Sequence, residues 1–322
     1  MFQQQLLNGI LLGSLYALIA LGYTMVYGIL ELINFAHGEI YMIGAYSAIL
    51  ILALLTSVHS SPPVFFLFLI LLPLSMILTA SYAATMERIA YRPLRNAPRL
   101  SLIISAIGMS LFFQNYVMLT QGARDKVFPQ DIAKDLSLWL SEVFQKFFPP
   151  ESLTPTGLTL FGAQLSFVDL LTILSSIILM VILQLFIKRT KTGKAMRATA
   201  QDVNMCKLVG IDVDRIIRVT FIIGSSLAAA AGVLIAANLK YGRVHYFMGW
   251  IIGLKAFTAA VLGGIGNIPG AMVGGFVLGI IESLAAGFIS SEYKDVYAFV
   301  ILITVLIIKP TGLLGERVPE KM

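Results

Sequence analysis

LLNGILLGSLYALIALGYTMVYGIL, residues 6–30, contains no charged side chain. A helix that crosses the hydrocarbon core of a bilayer needs about 20 mainly apolar residues, so this stretch reads as a membrane span. Further apolar runs follow at 40–58, 63–86, 100–119, 167–187, 216–238, 251–266, 270–289 and 294–309. The runs at 40–58 and 251–266 are short and interrupted by glycine, as expected of broken or re-entrant segments, which are tolerated where they are buried in protein or line a cavity. The expected fold is all-α: a polytopic transmembrane helical bundle with eight to ten crossings, forming one membrane-embedded domain over 1–322.

Composition agrees. Of the 322 residues, 58% are hydrophobic and 12% charged, with a mean hydropathy of +0.87. A soluble domain carries roughly 25% charged residues, so the bilayer must solvate much of this surface. The single cysteine, Cys206, excludes an intrachain disulfide framework and a multi-cysteine metal site. His37, His59 and His245 are far apart and lack ligand spacing, so no metal is expected. The net charge of +6 is concentrated between apolar runs. It therefore signals topology rather than nucleic-acid binding. No Lys or Arg precedes Arg88, and the first apolar run is too long for the core of a cleavable signal peptide. The N-terminal run is expected to remain in the mature protein.

Basic residues set the orientation. Arg88, Arg92, Arg95 and Arg99 fall within 88–99, and eight more lie between Lys188 and Arg218. By the positive-inside rule both stretches are cytoplasmic, with 188–215 a cytoplasmic coupling loop and 120–166 an extracytoplasmic loop between them. The first 87 residues carry no basic side chain, so the side of the N-terminus stays open. In the outer loop, Leu136, Leu140, Val143, Phe144 and Phe147 recur at helical spacing beside Trp139. They suggest an amphipathic helix at the membrane interface, or else a docking surface for an outside partner.

Three segments are candidates for function. In ELINFAHGEIYMIGAY (31–46), Glu31, Asn34, His37 and Glu39 sit between two apolar runs. Ionisable groups at membrane depth are costly and usually face a cavity or a partner. The segment is thus a broken helix lining a translocation path, or a short polar loop at the surface. In GLKAFTAAVLGGIGNIPGAMVGGFVLG (253–279), GGIGNIPG reads as a turn between two half-helices, with Asn267 within it. Gly270, Gly274, Gly275 and Gly279 fall at spacings suited to close helix contact. Lys255 and Glu282 lie in apolar sequence and are expected to approach each other or to face a polar cavity, the alternative being that Lys255 snorkels to an interface. Asn34, His37, Glu39, Lys255, Asn267 and Glu282 are accordingly the candidate path residues. In TGKAMRATAQDVNMCKLVGIDVDRI (192–216), Ala195, Ala198, Met205 and Leu208 can share one helical face, Gly210 ends the helix, and Asp212 caps the next. This helix would face a cytoplasmic protein partner, or else lipid headgroups. The chain contains no G-x-S-x-G, HExxH or GxxxxGK[ST] motif, so no enzyme activity is expected and any ATPase must be a separate subunit.

The blocks NGILLGSLYALIALGYTMVYGILELINFAHGEIYMIGAY (8–46), ERIAYRPLR (87–95), LIISAIGMS (102–110), GLKAFTAAVLGGIGNIPGAMVGG (253–275), SEYKDV (291–296) and KPTGLLG (309–315) together resemble the LivH-type permeases of high-affinity branched-chain amino-acid ABC importers. The resemblance runs in order along nearly the whole chain and is weakest over 120–166. It implies a multi-pass bacterial inner-membrane protein that transports leucine, isoleucine and valine. It implies as partners a second, LivM-like permease, two cytoplasmic ABC ATPases that use the ATP, and a periplasmic substrate-binding protein. No cofactor is expected on this chain. The loop 192–216 would occupy the ATPase-contact position, though RATAQ followed by Gly210 is a loose match to the EAA coupling motif. Permeases for urea, amides or broader neutral amino acids are similar enough to stand as alternatives. An ion-coupled secondary transporter is a rival of another class, against which stands the lack of two equal halves.

Overall fold

The structure is a computed structural model, which describes residues 1–58, 64–95, 97–144, 153–154, 157–160, 162–238 and 242–315. Helix α1 (Phe2–Leu30) is apolar on every side and lies at the centre, with residues such as Leu11, Leu18, Ile19 and Leu21 fully buried. A helix without a polar face belongs in the interior. Around it stand α2 (His37–Val58), α3 (Val64–Met86), α4 (Arg99–Gln121), α6 (Phe167–Arg189), α9 (Val213–Ala236), α10 (Met248–Gly263), α11 (Ile268–Phe288) and α12 (Lys294–Ile308). Among the described residues seven helices are long and apolar enough to cross a membrane; α10 and α12, at 16 and 15 residues, are shorter. Exposed Ile77, Ile104, Ile178 and Ile303 show that α3, α4, α6 and α12 present apolar side chains outward, as a bilayer requires.

Close packing sets the arrangement of the centre. A Cβ on Gly13 would come within 2.7 Å of the Phe276 Cα, and one on Gly275 within 2.5 Å of the Ala17 Cα. Gly9, Gly13 and Ala17 thus form a smooth track for Gly275 and Gly279, and α1 and α11 run antiparallel along it. Gly270 and Gly274 serve the α10 side of the same helix in the same way, against Gly263. The expected half-helix after GGIGNIPG is therefore a full 21-residue helix. Its glycines meet neighbours instead of breaking it, and Pro269 stands in the first turn, where no backbone N–H is needed. Likewise α2 is continuous through Gly38 and Gly44.

The break lies before α2, not inside it. Glu31, in the left-handed region at φ 52°, ends α1. The connection 31–36 then doubles back, so that the His37 ring lies against Gly22 of α1, about 12 Å from the end of that helix at 1.5 Å per residue. This is a re-entrant stretch of irregular backbone. Two of its backbone donors are paired locally: Ala36 N–H donates to the Asn34 side chain at 3.1 Å and His37 N–H to the Asn34 carbonyl at 3.0 Å.

The two ends of the bundle differ. One end carries a 3₁₀ turn (Arg92–Leu94) that follows a π-helical turn (Glu87–Tyr91), then α7 (Lys191–Gln201), α8 (Val203–Leu208), the α10–α11 turn and residues 309–315. This is the basic end. The opposite end carries the N-terminus of α1, a two-stranded ladder of β1 (Lys126–Val127) with β5 (Arg243–Val244), α5 (Gln130–Phe144), and an antiparallel sheet of β2 (Leu153–Thr154), β3 (Gly157–Leu160) and β4 (Ala163–Ser166). The N-terminus, whose side charge counting left open, thus lies at the end opposite the basic one. Gln4 pairs with both backbone groups of Gln164 on β4, at 2.9 and 2.8 Å, in the manner of an added strand residue.

Two expectations need correction. The apolar face of α5 is turned into the protein: Leu136 and Leu140 are buried with Phe167 and Val168, and the Phe144 ring stacks on Phe167 at 5.5 Å. Phe147 lies outside the described residues. Second, Ala195 and Ala198 do not share a face with Met205 and Leu208. Asp202 breaks the helix between them, accepting hydrogen bonds from Asn204 N–H and Met205 N–H at 2.8 and 3.0 Å as the cap of α8. The alanines turn inward and the larger residues outward. Asp212 does cap α9, accepting from Arg215 N–H at 3.0 Å.

If backbone contact between α1 and α11 holds the bundle, Gly13→Leu will abolish the monodisperse peak in detergent size-exclusion chromatography. Gly108→Leu, on an open face of α4 with nothing within 4 Å, will leave that peak intact.

Candidate functional site

Four helices bring three charged groups and a tyrosine hydroxyl to one place. Lys255 projects from α10, Glu282 from α11, Tyr16 from α1 and Asp295 from the first turn of α12. Lys255 Nζ donates to Glu282 Oε1 at 2.6 Å, and Tyr16 OH donates to Glu282 Oε2 at 3.0 Å. The same Nζ pairs with Asp295 Oδ1 at 2.6 Å and stands 6.0 Å from the Tyr16 ring centroid. The side chains of Lys255 and Glu282 are each only 4% exposed, whereas that of Asp295 is 39% exposed. Lys255 therefore does not snorkel to an interface. Removing one partner from a buried ion pair typically costs about 3–5 kcal/mol. The pair is thus a committed feature of the bundle rather than a neutral filler. It borders a cavity of about 400 Å³ that is also lined by Gln5, Asn8 and Ser283. Asn8 further lines a second cavity of about 570 Å³ toward the outer sheet, with Gln164 and Lys134.

The re-entrant stretch builds a second polar centre. Glu39, fully buried, accepts hydrogen bonds from Ser110 Oγ at 3.0 Å and Gln114 Nε2 at 2.7 Å, both on α4. Its other carboxylate oxygen faces the first turn of α10, where a Cβ on Gly249 would lie 2.5 Å from it. The positive end of a helix favours a carboxylate there. His37 lies edge-on to the Tyr23 ring at 4.7 Å, and Tyr91 OH donates to Asn34 Oδ1 at 2.5 Å. Asn34, His37 and Glu39 are therefore interior, while Glu31 is at the surface, paired with Arg99 at 3.1 Å.

Asn267 is not brought to either centre. It caps α11, accepting from Gly270 N–H at 3.0 Å, and donates to the Leu314 carbonyl at 2.7 Å. Leu313 and Leu314 N–H groups donate to the last carbonyls of α10, on Leu262 and Gly263. The KPTGLLG segment so supplies partners that the end of a helix lacks. Gly264 and Gly312, both at positive φ, permit this close crossing.

On the basic end an ionic network ties α9 to the end of α3. Asp214 accepts from Arg92 at 2.9 Å and from Arg95. Arg95 also pairs with buried Glu87, which stands 3.7 Å from Arg218. Beside it is a surface cavity of about 770 Å³ bordered by Lys207, Gly210 and Asp212. Met205, Leu208 and Val209 protrude there, 60%, 81% and 73% exposed. Gly210, at φ 82°, turns the chain after them.

Sequence reasoning missed Tyr16, Asp295, Glu87, Asp214, Ser110 and Gln114. Ser110 and Gln114, four apart in an apolar run, were legible as a polar stripe on one helix face. Asp295, beside Lys294 at a helix start, carried no such signal.

Comparison with known proteins gives these features a context. A family model described as branched-chain amino acid transport system / permease component matches residues 5–306. The chain is 46% identical over 321 residues to the high-affinity branched-chain amino acid transport system permease protein LivH of Escherichia coli strain K12. That match covers 100% of this chain and 98% of the relative. It is 45% identical, with the same coverage, to the LivH protein of Salmonella typhimurium. It is also 45% identical over 322 residues to the BraD permease protein of Pseudomonas aeruginosa, again over 100% and 98% of the two chains. With its apolar helices and buried ionic centres, this multi-pass membrane protein belongs to the family of permease components of branched-chain amino acid transport systems.

Proposed function

We propose that this chain is one permease subunit of an ABC importer that carries leucine, isoleucine and valine across the bacterial inner membrane. It works beside a second, LivM-like permease, is fed by a periplasmic binding protein at the end bearing the outer sheet, and is driven by two cytoplasmic ATPases at the basic end. Full-length identity to the LivH and BraD permeases supports the substrate class. The observation that carries the assembly is the cluster of Met205, Leu208 and Val209, three large apolar side chains exposed beside a charged cavity. An apolar cluster rimmed by charge is suited to a protein partner.

Movement at that surface has a route inward. Helix α7 turns Ala195 and Ala198 into the core, and the Arg92, Arg95 and Asp214 contacts join α9 to the end of α3. An ATPase pressing on α8 would thus shift α3 and α9 together against α1. The two buried centres, Glu39 with His37 and Asn34, and Lys255 with Glu282, stand along the interior that such motion would open. A solute biases the two states only through its difference in affinity for them.

Leu208→Glu is expected to leave the permease pair intact in mild detergent while the ATPases fail to co-purify and leucine uptake collapses. Unchanged recovery of the ATPases would refute the docking surface. A chain that purifies alone and drives uptake in liposomes from an ion gradient, without ATP, would instead establish a secondary transporter. For orientation, an impermeant thiol reagent should label Gln3→Cys and Leu138→Cys in intact spheroplasts, and Arg99→Cys, exposed at the basic end, only after permeabilisation; the reverse pattern would invert the topology.

A further inference from the structure

We infer that the cavity beside Lys255 is a transient site for an aliphatic α-amino acid zwitterion, which the protein binds by exchanging the Lys255–Asp295 ion pair for two ion pairs to the solute. The inference rests on the reading of the chain as a branched-chain amino acid permease and goes beyond it by assigning the residues. At about 400 Å³ the cavity lies within the range of small-molecule sites. Its lining combines two kinds of side chain: apolar Leu15, Ile19 and Ile252, and charged Lys255, Glu282 and Asp295. Such a lining offers contacts to both the charged groups and the aliphatic side chain of one molecule. Arg243 and Lys294, also bordering the cavity, are exposed.

The charge count within the cluster favours exchange. One ammonium, on Lys255, is shared by two carboxylates at equal distances of 2.6 Å. Glu282 is enclosed and has a second donor in Tyr16, so it stays with Lys255. Asp295 is the accessible partner. A solute ammonium placed on Asp295, with the solute carboxylate on Lys255, leaves no charge unpaired. The direct contact between α10 and α12 becomes one bridged by the solute. Occupancy therefore changes the spacing of two helices, which is the differential interaction that a ligand needs in order to shift a conformational equilibrium. A molecule lacking either charge breaks the Lys255–Asp295 pair and gains only one ion pair in return, so the exchange brings it no net attraction.

The test uses the near absence of cysteine. Cys206 is buried, so Ala286→Cys, on the cavity wall, is a reporter for a small hydrophilic thiol reagent. The complete complex is studied in energy-depleted spheroplasts washed free of periplasmic protein. Leucine should slow labelling. Leucinamide, without the carboxylate, and 4-methylpentanoate, without the ammonium, should not. With Asp295→Asn added, labelling without solute should proceed at the same rate, and half-protection should require roughly tenfold more leucine, as expected for loss of one charge-assisted contact. Asp295→Glu should restore protection. If Asp295→Asn does not assemble, the three solutes on Ala286→Cys alone decide. Equal protection by all three, or none by leucine, overturns the assignment. Leucine uptake by intact Ala286→Cys cells is read separately. Normal uptake without protection removes this site and leaves the permease reading standing, whereas absent uptake of any branched-chain amino acid by cells carrying the unaltered chain and its partners removes that reading itself.

Discussion

Backbone contact between α1 and α11 is the constraint from which the rest of the bundle follows. In a bilayer the hydrophobic effect does not drive one apolar helix against another, so helix association depends on close van der Waals fit. Gly9, Gly13 and Ala17 on one helix and Gly275 and Gly279 on the other provide that fit, with a Cβ on Gly13 only 2.7 Å from the Phe276 Cα. This approach fixes Tyr16 opposite Glu282, which sit on the paired faces of the same two helices. It also places the start of α1 beside the later part of α11, because the two helices run antiparallel.

A second consequence is where charge can be placed. Charged groups inside the membrane persist when each has a partner. Lys255 meets Glu282, and Glu39 meets Ser110, Gln114 and the start of α10. Both centres involve short or displaced helices. The chain doubles back at 31–36, and α10 is only 16 residues long. Irregular backbone at membrane depth is tolerated when protein surrounds it, and here α1, α4 and α10 do so. The same elements that depart from simple spanning helices therefore carry the polar groups.

Much of this was legible in the sequence. Long apolar runs and clustered arginines established a multi-pass helical protein and its basic end, and Lys255 and Glu282 stood out because charge in apolar sequence is costly. The amphipathic α5 was also legible as a helix, but not the destination of its apolar face, since Leu136 and Leu140 suit lipid and Phe167 equally well. The continuous face proposed for Ala195, Ala198, Met205 and Leu208 failed at Asp202. There an aspartate oxygen competes for backbone N–H groups and starts a new helix.

Periodicity and hydropathy alone determined that this chain needs the bilayer as solvent, and they marked where ionic groups would be forced to find partners, because both are costs set by residue type along the chain. Only the tertiary structure decided which partners those are. Lys255 meets Glu282 across a sequence separation of 27 residues, and Tyr16 meets Glu282 across 266; Asp295 completes the cluster. Such meetings depend on how closely helices pack and in which direction they run. Those are properties of the glycine faces taken together, and no single segment contains them.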